Sequence, residues 1–223
     1  MLEKILVISP HPDDETLGAG GTLLRFKQTG AKIFWLNITD MLEEYGYKNE
    51  EIVTWDATIN AVAAQYQVEK FFNLRLKPAG LDVFPRSQLV EKISQVFREV
   101  EPDTIILPFE NDVHTDHKIV FEAVLACTKT FRFPFIKRVM AMEILSETDY
   151  AVFNQAFSPN VWIDITPFME KKLEIVNLYK TEISSHPFPR SETNIRSLAL
   201  LRGSQSDVTY AESFLLIKEI ISQ

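Results

Sequence analysis

The chain has 223 residues, 46% hydrophobic and 24% charged, the balance of one folded domain with a sizeable core. A formal charge of -8, with no cluster of Lys or Arg, argues against nucleic acid and anionic lipid as partners. A single cysteine, Cys127, excludes an internal disulfide and reads as a small core residue. The apolar run at residues 5–8 is too short for a signal-peptide core or a membrane span. A cytoplasmic, reduced setting without membrane insertion is the expectation.

Residues 4–9 predict a buried strand, followed by a helix at 16–28 that Gly30 stops. A second strand follows at 32–38, then a polar, acidic loop at 39–49. Residues 50–66 predict a helix with an apolar face through Ile52, Ile59, Val62 and Ala63. A short strand at 70–74 precedes a proline-opened helix at 85–100. Strand 103–108, helix 116–129 and strands 138–144 and 161–165 come next, and the C-terminal part reads as three helices at 167–184, 191–201 and 210–221. Alternating strands and helices, with nearly continuous apolar strands, predict a Rossmann-like, doubly wound, mostly parallel α/β sheet. Its core order is expected to be 3-2-1-4-5, within one domain spanning 1–223.

That order makes the first and fourth strands neighbours at a switch point, where ligands bind outside the carboxyl ends of the strands. His11-Pro12-Asp13-Asp14 follows the first strand, and His114-Thr115-Asp116-His117 follows the fourth. Three of the four histidines therefore meet in one crevice. Three ligands from His and Asp/Glu with an open position define a catalytic metal site. His11, Asp14 and His117 are the candidate ligands, and their nitrogen and oxygen donors suit Zn²⁺, with Fe²⁺ or Co²⁺ also accommodated. Asp13 is positioned as the base that takes a proton from water. His114, three residues before His117, can donate to a developing oxyanion or protonate a leaving amine. Asp116 or Asp112 would hold its imidazole in the needed tautomer. Taken alone, Asp13, Asp14 and Glu15 would only complement a helix N-terminus. The pairing with the second motif favours a metal.

At these residues the chain resembles the PIG-L/LmbE-like family of zinc deacetylases. The family's His-Pro-Asp-Asp-Glu element stands here at residues 11–15 and its Asp-x-His-x-Asp-His element at 112–117. Arg202-Gly203 and the segment 210–214 also look like the family's closing segment. The resemblance implies hydrolysis of an N-acetyl group on a GlcNAc-type sugar, nucleotide- or lipid-linked sugars included. It also implies the metal and base roles given above, and assembly as homo-oligomers, trimers or hexamers. Many members carry an Arg-x-x-Glu pair on the helix after the second strand. Here that stretch is Trp55-Asp56-Ala57-Thr58, and Arg75 is the candidate replacement near the substrate.

Gly18, Gly20 and Gly21 do not match the dinucleotide fingerprint, and Asp13 and Asp14 would repel a pyrophosphate. The glycines instead let a helix pack close to the sheet. The acidic loop reads as solvated, or as a lid with Tyr45 and Tyr47 touching sugar. Arg202 and Glu212 are expected to pair with each other. A non-catalytic sugar- or nucleotide-binding module, and a different single-metal amidase or esterase, are the competing readings.

Overall fold

The computed structural model describes residues 3–152 and 155–221. In its first half strands and helices alternate. They are β1 (Lys4–Ser9), α1 (Asp14–Gln28), β2 (Lys32–Thr39), α2 (Asn49–Gln65), β3 (Lys70–Leu76), α3 (Arg86–Val100), β4 (Thr104–Leu107), α4 (Thr115–Ala126) and β5 (Arg138–Met142). The chain continues through β6 (Val161–Asp164), α5 (Met169–Val176), α6 (Glu192–Ser204) and β7 (Ala211–Glu219).

One sheet runs in the order β3-β2-β1-β4-β5-β7-β6. The first five strands are parallel, in the expected order, while β7 is antiparallel to both β5 and β6. Alternation along the strands divides two apolar layers. Ile5 and Val7 of β1 pack with Leu23, Ile59, Val62 and Leu173 on one side. Leu6 and Ile8 pack with Leu89, Phe97, Val120 and Val124 on the other. Helices α1, α2, α5 and α6 therefore cover one face, and α3 and α4 the opposite one.

The expected helix at 210–221 is a strand, β7, inside the sheet. Tyr210, Phe214, Ile217 and Ile221 lie at helical spacing, which is why the sequence reads as a helix. The strand pattern is hidden because the start of β7 is buried on both faces, and one buried residue is Glu212. Its carboxylate accepts from Gly21 N (2.9 Å), Thr22 N (2.7 Å) and Lys172 Nζ (2.7 Å). Lys172 also donates to Leu17 O at 2.8 Å. An ion pair from β7 and α5 thus reaches the backbone inside α1. Arg202 does not pair with Glu212; its Nε donates to Glu143 at 2.8 Å. The expected helix at 167–184 is shorter, covering Met169–Val176 after a 3-10 turn at Thr166–Phe168.

Glycine is required at two of the closest approaches. A Cβ on Gly21 would lie 2.7 Å from the side chain of Ile165, so α1 can touch the segment after β6 only without one. A Cβ on Gly203 would lie 2.5 Å from Thr209 O, where α6 meets the turn into β7.

Candidate metal centre and crevice

The turn from β1 into α1 carries His11, Asp13 and Asp14, and Asp13 adopts φ 131°. A non-glycine residue there is strained, and the strain separates the directions of two consecutive carboxylates. Asp14 Oδ2 accepts from its own turn, at His11 N, over 2.9 Å. It also lies 3.4 Å from His11 Nδ1 and 3.3 Å from His117 Nε2. His117 comes from the first turn of α4, beyond β4. Its Nε2 is buried and has no hydrogen-bond partner.

Each of these imidazoles has a carboxylate behind it. His117 Nδ1 lies 2.8 Å from Asp112 Oδ2, and Asp112 also accepts from the Thr148 hydroxyl (2.6 Å) and from Phe109 N (3.3 Å). His11 Nε2 lies 3.1 Å from Asp116 Oδ2. Asp116 accepts further from Ala79 N (2.8 Å) and Leu81 N (3.2 Å), tying the loop after β3 to the site. His114 caps α4, its Nδ1 accepting from Asp116 N at 3.1 Å. Its ring stands 4.5 Å from that of His11.

Among the described residues, two groups of side chains could hold a metal ion, their donor atoms lying within 4.8 Å of one another. One is His11, Asp14 and His117; the other is His11, His114 and Asp116.

The charges respond to this crowding. Burial opposes a charge on His11, but Asp116 and Asp14 outweigh it and raise the imidazole to about 9. His117 is raised in the same way, against burial, by Asp14 and Asp112. Burial acts against ionised Asp14, yet the two imidazoles hold its carboxyl below the usual range. Asp13 is pushed well up by burial and by the neighbouring charge of Asp14, against the pull of Arg190. Burial lowers His114, and cationic His11 and His117 lower it further. Glu15 sits beneath the turn, accepting from Asp13 N, Thr16 Oγ1 and Tyr179 Oη, and burial raises it to about 7.

A crevice of about 250 Å³ opens over these groups, lined by His11, Asp13, Asp14 and His114 together with Asp40, Tyr47, Trp55, Glu147, Glu182 and Arg190. The sequence gives no sign of Arg190. It lies in the loop before α6, far along the chain from both motifs, and donates to Asp13 Oδ2 at 2.8 Å. Its other terminal nitrogen is 3.2 Å from Glu182. Neither Arg75 nor Tyr45 is among the residues lining the crevice. The Arg75 guanidinium is engaged by Asp56 (3.0 Å) and Asp40 (3.4 Å), and Tyr45 donates to Arg75 O. Asp112 stands behind His117, while Asp116 contacts His114 only through its backbone N–H.

A Rossmann-like sheet with a His–Asp–His cluster at its switch point defines a class of α/β proteins with a candidate metal centre. The chain belongs to the PIG-L family: the model described as GlcNAc-PI de-N-acetylase matches residues 6–128, the stretch that carries both motifs. It is 25% identical over 232 residues to a diacetylchitobiose deacetylase of Thermococcus kodakarensis, covering 98% of this chain and 85% of that one. It is 24% identical over 191 residues to a Bacillus cereus protein named "Probable N-acetyl-alpha-D-glucosaminyl L-malate deacetylase 2", covering 82% and 84% of the two chains. The fold matches that of an N,N'-diacetylchitobiose deacetylase from Pyrococcus horikoshii with a TM-score of 0.77 at 21% identity, over 97% of this chain and 84% of that one. No described helix is long and apolar enough to cross a membrane.

Proposed function

We propose that this protein is a zinc-dependent deacetylase that removes the acetyl group from an N-acetylated amino sugar of the GlcNAc type, with His11, Asp14 and His117 on the metal. The observation that carries the metal reading is the pair of 3.4 and 3.3 Å separations between Asp14 Oδ2 and the two imidazole nitrogens. Tetrahedral ligands at about 2.0–2.1 Å from zinc stand about 3.3–3.4 Å apart. The orphaned, buried Nε2 of His117 needs a partner, and a cation provides one. In the alternative group Asp116 already accepts from two backbone amides and His114 Nδ1 from a third, which leaves them suited to support.

When bound, such an ion makes a water nucleophilic near neutral pH and draws charge from the amide carbonyl. The rest falls to the chain's own groups. Asp13, raised by burial and by Asp14, takes the proton of the attacking water, and Arg190 fixes the direction of its carboxylate. His114 accepts a backbone N–H at Nδ1, so its uncharged ring carries the proton on Nε2. That N–H donates to the oxyanion as water adds to the carbonyl carbon. The proton held by Asp13 passes to the nitrogen as the C–N bond breaks, giving acetate and a free amine. Asp116 and Asp112 orient His11 and His117 from behind, as carboxylates do for metal-bound histidines.

The family match, the deacetylase relatives and the crevice together support this activity for residues 1–223 as one domain. Met1, Leu2, Phe153, Asn154, Ser222 and Gln223 lie outside the described residues. A cytoplasmic setting accords with buried, unpaired Cys127. The test is acetate release from N,N'-diacetylchitobiose by metal-stripped and zinc-reloaded protein. Zinc should restore activity, and Asp13→Asn should remove it. Metal-independent turnover, or full activity in Asp13→Asn, overturns the reading.

A further inference from the structure

We propose that the crevice selects N-acetylated sugars that are uncharged or carry a free amine, and rejects those bearing phosphate or carboxylate, with Glu147 as the residue that reads this charge. The inference rests on the crevice being the deacetylase site and deepens that reading.

Five carboxyl side chains line the crevice: Asp13, Asp14, Asp40, Glu147 and Glu182. Arg190 is the one Arg or Lys among the lining residues, and both its terminal nitrogens are engaged, by Asp13 at 2.8 Å and Glu182 at 3.2 Å. Arg75, just outside, is held by Asp40 and Asp56. A phosphate or a carboxylate on the substrate offers only acceptors, and pairs best with an Arg or Lys fork. Such a group would find no free terminal Arg or Lys nitrogen on this wall, only the buried Nε of Arg190, and five carboxyl groups would face it. A bound divalent ion would offset two of the five carboxyl charges and Arg190 a third, which leaves the lining acidic.

Glu147 gives the wall its preference. It stands in the loop after β5, held through its backbone: its N–H donates to Ile144 O, and its carbonyl accepts from Val113 N. Its Oε2 is buried with no hydrogen-bond partner. A buried acceptor in that state, on a residue that lines the crevice, gains from a ligand whose donor reaches it, so a sugar hydroxyl would satisfy it and an ammonium would satisfy it better. An anion there would add like-charge repulsion to an unmet acceptor, which is how a site discriminates against a competitor. Glucosamine-containing oligosaccharides, partly deacetylated already, are the class this wall favours.

The experiment compares kcat/KM for acetate release by the zinc-loaded protein on three probes. They are N,N'-diacetylchitobiose, the same disaccharide with one free amine, and N-acetylglucosamine 1-phosphate. At low salt the phosphate should lag the neutral disaccharide by about tenfold or more, the effect of one like charge about 12 Å away at an effective dielectric of ~20. The gap should narrow at about 0.5 M salt. Glu147→Gln should lower the ratio of amine-bearing to neutral turnover. Glu182→Gln, which frees an Arg190 nitrogen, should raise the ratio of phosphate to neutral turnover. Equilibrium binding of glucosamine against glucose 1-phosphate to the same protein reads the preference without turnover. Equal or better handling of the phosphate at low salt, in rate and in binding, overturns the inference while leaving the deacetylase standing. No hydrolysis of any probe defeats the deacetylase reading, and the binding order then decides this one.

Discussion

Asp112→Asn isolates one negative charge behind the proposed metal centre. Asp112 is fully buried, and its Oδ2 accepts a hydrogen bond from His117 Nδ1 at 2.8 Å. The amide is nearly the same size. Its oxygen can still face His117 and Phe109 N, and the Thr148 hydroxyl can turn to accept from its nitrogen. Shape is therefore kept, and the charge-assisted part of the bond is lost. His117 becomes a poorer donor to a cation and is less firmly oriented. Support of this kind contributes about 10–100-fold to metal affinity, or about 1.4–2.7 kcal/mol. Competition with a chromogenic chelator at constant pH measures it, and melting of the metal-free protein monitors the fold. Zinc affinity unchanged in a variant that melts like the parent would refute the account of Asp112 as the support of a ligand.

Three further predictions concern the scaffold. Glu212→Ala leaves Lys172 a buried, unpaired cation and deprives Gly21 and Thr22 of an acceptor; loss of about 3–5 kcal/mol is expected in urea unfolding. A loss below about 1 kcal/mol would mean that the clamp is not formed. Gly203→Ala places a methyl against the backbone at Thr209 and should cost about 1–3 kcal/mol, read as a lower melting temperature at unchanged zinc affinity. Metal-free protein should lose stability as pH rises. Glu15 is raised from 4.5 to about 7 and His11 from 6.5 to about 9, so each binds its proton more tightly folded than unfolded. Their contributions are complete below the unfolded values and vanish through about 7 and about 9. A metal-free melting temperature that climbs between pH 5 and 9 would contradict the sign.

The grouping of the candidate ligands was legible in the sequence because they sit directly after two strands. His11, Asp14 and His117 needed only the expected strand order to meet, and the parallel core has that order. What escaped was anything set by the chain's return. Arg190 reaches Asp13 from a loop with no spacing relation to either motif. Arg75 has the charge a substrate contact wants, but Asp40 and Asp56 hold it first, a competition that only three dimensions show. The strand β7 was read as a helix because a buried glutamate broke its alternation, and that glutamate's partners lie on α1 and α5. Periodicity reports solvent on one face, and β7 begins with none.

The placement of β7 also ties the end of the described sheet to a late part of the chain. This strand follows every other in the sequence, yet it lies between β5 and β6, and β6 pairs with no other described strand. A ribosome that has released everything through α6 has exposed all the groups proposed to hold the cation, but Lys172 still awaits its counter-charge and β6 its neighbour. The parallel core draws no strand from β7, whereas β6 joins the described sheet only through it.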